Sequence, residues 1–188
     1  GVRLWDKQDF KPKHDDVLRE RLYCVRWRTP DWLDERGRER RGDFVYREPR
    51  ARDLDNEQRV EDELRVVFQD WQWAGWIPNW RVEPGHETSR LTREKGWTHW
   101  HHLFTPRQLL FGAKYSSLIG LAEPPVRAAL SLNLGIYANY CSRLARWNSA
   151  AGKGSGATEK TYYNQALNTL FDFANRSWRS LEDALVSN

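Results

Sequence analysis

The chain has 188 residues, of which 39% are hydrophobic and 30% charged, and 30 Lys+Arg against 26 Asp+Glu leave a net charge of +4. With a mean hydropathy of −0.85 and no apolar run near the roughly 20 residues of a membrane span, no membrane partner is expected. Eleven Trp within a 13% aromatic content exclude a wholly disordered chain.

Cys24 and Cys141 are the only cysteines. They argue against a disulfide framework and a cysteine zinc site, and for a reducing, cytoplasmic compartment. Gly1 in first position, a sequence without Met and no signal peptide lead to the expectation of a segment cut from the interior of a longer protein.

Taken in chain order, residues 21–27 (Arg-Leu-Tyr-Cys-Val-Arg-Trp) are rich in β-formers and predict a strand. A charged stretch over residues 29–42 follows, with Pro30 and Gly37 as breakers, and residues 43–47 predict a second strand, so the simplest arrangement is a β-hairpin with a long charged tip around Arg36-Gly-Arg-Glu-Arg-Arg41. Asp53 is a plausible N-cap for a helix on which Leu54, Val60, Leu64, Val67, Phe68 and Trp71 recur at helical spacing, ended by Gly75 and Pro78. Residues 77–96 look like a connector. Thr105-Pro-Arg-Gln108 is a capping box with Pro in the first helical position, opening a helix through Leu109, Leu110, Ala113, Leu118 and Ile119. Pro124-Pro125 break it and start another, expected over 126–147 with an apolar stripe from Leu130 to Leu144. Gly152-Lys-Gly-Ser-Gly156 reads as a flexible linker, and a last helix is expected over 162–174. The expected fold class is α+β: a hairpin module with a basic tip over 1–52, then a mostly helical body over 53–188.

Several constellations have chemical interest. His99, His101 and His102 are weak candidates for a metal site or an acid/base centre; the plainer reading is that Trp97 and Trp100 pack while the histidines hydrogen-bond in a turn. The glycine-rich stretch at 152–156 fails the spacing of a phosphate loop, and Glu123-Pro-Pro-Val126 lacks the flanking residues of a methylase Pro-Pro motif. Arg36, Arg38, Arg40 and Arg41 crowd the hairpin tip, suited to phosphates, although Asp34, Glu35, Glu39 and Asp43 are interleaved with them. Arg107 stands in a helix's first turn, where a cation is unfavourable and a carboxylate or phosphate partner would explain it. Composition and spacing alone assign no function.

Leu103-Phe-Thr-Pro-Arg-Gln-Leu-Leu110 resembles a signature of the large adenine-specific DNA methylases that contain a zinc ribbon. Ser142-Arg-Leu-Ala-Arg-Trp-Asn148, Asn164 to Phe171 and the opening Gly1 to Trp5 are similar to other segments of that family. The resemblance places this chain between the S-adenosylmethionine motif and the Pro-Pro-Tyr motif. It implies a parent methyltransferase using S-adenosylmethionine, with DNA and the parent's remaining domains as partners. No catalytic residue and no cofactor site are carried over to this segment. Such a segment is expected to engage DNA or, alternatively, to be an interaction module for a defence-system partner or the catalytic domain.

Overall fold

The computed structural model describes residues 22–148 and 157–161; the expected linker at 152–156 and the helix at 162–174 lie outside the described residues. The fold is α+β. The described residues divide into two compact units, the first ending at Arg59 and the second beginning at Val60. Among the described residues, no helix is long and apolar enough to cross a membrane.

In the first unit β1 (Val25–Arg28) pairs antiparallel with β4 (Phe44–Arg47), Trp27 opposite Val45 and Arg26 opposite Tyr46. The stretch between them is not the open charged loop expected from sequence. It holds a second ladder, β2 (Trp32–Leu33) with β3 (Glu39–Arg40). Pro30 has no N–H to offer the first ladder. There the chain is held by Thr29 N–H donating to Asp43 O at 2.9 Å, Asp43 N–H to Thr29 Oγ1 at 2.8 Å and Gly42 N–H to Asp31 Oδ1 at 2.8 Å. The second ladder turns over Asp34-Glu-Arg-Gly37, where Gly37 N–H donates to Asp34 O at 2.8 Å and Asp34 N–H to Arg38 O at 2.9 Å. Asp at the first and Gly at the fourth position are type I turn chemistry.

Helix α1 (Ala51–Trp73) starts earlier than expected. Arg50, not Asp53, is its N-cap: the Arg50 carbonyl accepts from Asp53 N at 2.9 Å and Leu54 N at 3.2 Å. Asp53 instead sits three residues in and reaches back, accepting Arg50 N–H at 2.8 Å. That is the return half of a capping box. At the other end Trp76 N–H donates to Trp71 O at 2.9 Å and Gly75 N–H to Gln72 O at 3.1 Å. Gly75 takes φ +77°, and the Trp71 and Trp76 rings meet edge-on at 6.0 Å. This is a Schellman stop with its apolar contact.

In the second unit Leu64 and Ile77 pack with Leu109 and Ala113 of α3 (Pro106–Ile119), with Phe68, Trp71 and Phe104 against them. Glu63 and Lys114 pair at 2.5 Å. The expected connector contributes to a second cluster of Val82, Leu91, Trp97 and Leu103. Its helical piece is α2 (Thr88–Arg90), continuing as a π turn over Leu91–Lys95. Helix α4 (Pro124–Tyr140) packs on α3 through Tyr137, Phe111 and Tyr115. Tyr137 donates to Gln108 O at 3.1 Å and Tyr115 to Asn133 Oδ1 at 3.2 Å.

Helix α4 ends at Tyr140 rather than near Trp147. The buried Ser142 Oγ accepts from Leu144 N and Ala145 N, both at 3.1 Å. A continuing helix would give those N–H groups to carbonyls, so the serine offers the backbone a competing partner. Beyond it β5 (Arg146–Asn148) pairs with β6 (Ala157–Glu159).

Candidate nucleic-acid interface

The hairpin tip is organised by one carboxylate. Asp34 Oδ1 accepts Arg36 N–H at 3.0 Å and Arg38 N–H at 2.9 Å, while Oδ2 accepts Arg38 Nε–H and Arg40 Nε–H, each at 3.0 Å. The Arg38 backbone N–H, then the Arg40 guanidinium, hold the Asp34 carboxyl below the usual carboxylate range. Arg38 and Arg40 are therefore partly neutralised. Arg36 and Arg41 are exposed and have no ion-pair partner among the described residues. Of the four tip arginines, these two have no carboxylate partner among the described residues.

The ladder behind the tip carries aromatics that sequence reasoning did not single out. Trp27 is 53% exposed, Trp32 55% and Tyr46 56%. Each has an arginine beside or across from it. The Arg47 guanidinium lies 5.3 Å from the Trp27 ring centre, and Arg26 lies 3.6 Å from that of Phe44 and 5.7 Å from that of Tyr46. Arg40 stands opposite Trp32 in the second ladder. The three measured distances are cation–π distances. Arg47 is also fixed by Asp53, at 2.7 and 3.2 Å, which holds Asp53 down to about 2. The signal in the sequence was the crowding of Arg and aromatic residues in 25–28 and 44–47.

The three histidines do come together. Ring centres are 4.4 Å apart for His101 and His102, 5.4 Å for His99 and His101, and 5.6 Å for His99 and His102. The turn Trp100–Leu103 that carries two of them is 3-10 helical. His101 Nδ1 lies 3.0 Å from Pro78 O, an atom that only accepts, so Nδ1 carries the proton. His102 Nδ1 accepts Thr98 N–H at 3.1 Å, which leaves its proton on Nε2. That nitrogen is a donor rather than a metal ligand. Burial first, then His101, His99 and Arg143, push His102 down to about 4. Among the described residues, no group of three or more His, Cys, Asp or Glu is arranged to hold a metal ion. Trp97 and Trp100 pack in the second apolar cluster. The cluster reads as a hydrogen-bonded turn in which burial disfavours the charged form of His101 and His102.

The segment Leu103–Leu110 is a helix-starting device. Leu103, Leu109 and Leu110 are buried. Thr105 Oγ1 accepts Gln108 N–H at 3.4 Å and Gln108 Oε1 accepts Thr105 N–H at 2.9 Å. Phe104 before the cap and Leu109 after it share one cluster, the positions of a hydrophobic staple. Arg107, in the first turn of the same helix, belongs to the second unit rather than to the hairpin. Compared with protein-family models, curated proteins and solved structures, the chain matches none.

Proposed function

We propose that the chain is an internal, non-catalytic segment of an adenine-specific (N6) DNA methyltransferase, acting in the cytoplasm, and that its hairpin unit engages DNA. On this reading S-adenosylmethionine and the methyl-transfer residues belong to the rest of the parent. The observation that carries DNA engagement is the cation set of residues 22–52: nine arginines, six acidic residues and no lysine. Arginine offers a planar fork that grips phosphate and stacks on rings, where lysine offers a point charge. Most of that set stands on or beside short ladders that leave side chains in solvent.

A second reading, an interaction module, is favoured by a different observation. Leu118, Leu121, Val126 and Leu132, on or between α3 and α4, are exposed by 61%, 82%, 53% and 74%.

Titration of duplex DNA across a salt series separates the two. The complex should weaken as salt rises, and Arg36→Ala with Arg41→Ala should lower the log–log slope by roughly 2, about 0.9 for each phosphate no longer neutralised. Binding that is unchanged in the double variant across the series rejects the hairpin assignment and favours the interaction module.

A further inference from the structure

Four large rings, Tyr23, Trp27, Trp32 and Tyr46, are left more than half exposed on one small unit, which exceeds what packing of two short ladders explains. We infer that the hairpin unit takes an unpaired DNA strand, its bases stacking on Trp27, Trp32 and Tyr46 and its phosphates meeting Arg36 and Arg41; this rests on the DNA reading above. The register places Trp27 and Val45 on one face of the first ladder and Tyr46 with Arg26 on the other. A stiff duplex touches one face of a hairpin, whereas a flexible single strand reaches both. Bases in a duplex already stack on one another and present only edges, so exposed rings add little to duplex binding. An acidic protein segment would use the guanidiniums but leave the rings unexplained. Stacking accepts any base, because each has a π face. An enzyme that extrudes a base leaves unstacked nucleotides to be held, which gives such a surface a use.

Arg47 is anchored by Asp53 and lies over the Trp27 ring, and Arg26 lies against Phe44, so these cations hold the aromatics in place. Trp32 stands two residues before Asp34, on the strand that leads into the turn bearing Arg36.

The test uses the full chain and a fluorescein-labelled deoxythymidine 12-mer, with a mixed-sequence 12-base-pair duplex of equal length, at low salt. The single strand is expected to bind at least about tenfold more tightly. Trp27→Ala or Trp32→Ala should each weaken single-strand binding roughly 5- to 100-fold, the range of one lost stack, and leave duplex binding unchanged. Trp32→Phe should restore most of the loss, since a ring remains, and circular dichroism of each variant should match the parent chain. Arg36→Ala with Arg41→Ala should weaken both ligands. Duplex binding as tight as single-strand binding, insensitive to both Trp variants, overturns the stacking inference and leaves DNA engagement standing. No binding of either ligand overturns both.

Discussion

The capping box at the head of α3 gives a quantitative test of how the fold is set. Its two bonds are unequal. Thr105 Oγ1 meets Gln108 N–H at 3.4 Å, the long end of a hydrogen bond, whereas Gln108 Oε1 meets Thr105 N–H at 2.9 Å. Thr105→Ala removes the longer bond and little packing, so its cost should fall at the low end of N-cap substitutions, about 0.5–1 kcal/mol. Gln108 is only 2% exposed. Gln108→Ala removes the shorter bond, leaves the Thr105 N–H unpaired and opens space in the core. An unsatisfied buried group alone costs about 1–3 kcal/mol. The total is reduced because the Gln108 Nε2 lost with it has no partner among the described residues. The expected cost is about 2–3 kcal/mol. Thr105→Ser keeps the acceptor and should stay within about 0.5 kcal/mol of the parent.

Urea unfolding of the 188-residue chain reads these differences as midpoint shifts at constant m. With m near 2 kcal/mol/M, 1 kcal/mol moves the midpoint by about 0.5 M. A Thr105→Ala cost equal to or above that of Gln108→Ala would refute the ranking by bond length. A Thr105→Ser cost equal to that of Thr105→Ala would show that the hydroxyl acceptor is not what starts the helix.

Three further outcomes are expected. A Cβ at Gly42 would lie 1.8 Å from Thr29 O, a backbone atom, so Gly42→Ala should destabilise the hairpin by at least about 2 kcal/mol; hydrogen exchange should accelerate at Val25–Arg28 and Phe44–Arg47, and unchanged protection there would contradict the close approach. His102 is lowered from 6.5 to about 4, so above 6.5 both states hold it neutral, and as pH falls towards 4 the unfolded chain takes a proton that the folded ring refuses. Stability should therefore decline across that window and level off below it, His102→Gln should flatten the decline, and a ring found protonated by ¹⁵N NMR at about pH 5.5 would overturn the turn's reading. Asp34→Asn keeps an acceptor for the Arg36 and Arg38 N–H groups while removing the charge that holds Arg38 and Arg40; DNA affinity should rise with a steeper salt slope, and a loss of affinity would mean that the paired arginines are held in the binding geometry by Asp34.

What was legible in the sequence was what depends on near neighbours. Thr105, Pro106 and Gln108 act within one helical turn, and the cap forms where their spacing puts it. Trp27 and Val45 lie on facing strands, and the two ends of the hairpin were visible because β-formers cluster there. The misreadings share a cause: a residue whose local partner was overruled by another. Asp53 could cap its own helix, but Arg47 and the Arg50 N–H both claim its carboxylate, which moves the helix start back to Arg50. Ser142 could lie inside a helix, but its hydroxyl takes two backbone N–H groups and meets Thr161 at 2.7 Å, a partner 19 residues away. The charged stretch 29–42 hid a second ladder because each of its strands is only two residues long, too short a run for any alternation to stand out among the arginines and acids around it. The same stretch shows why a count of charges underdescribes the candidate site. Asp34 is one acid among many in sequence, yet in the fold it pairs with two of the four tip arginines and sets the turn that carries a third, Arg36. The site is thus defined less by how many cations the hairpin has than by which of them Asp34 and Asp53 have already engaged.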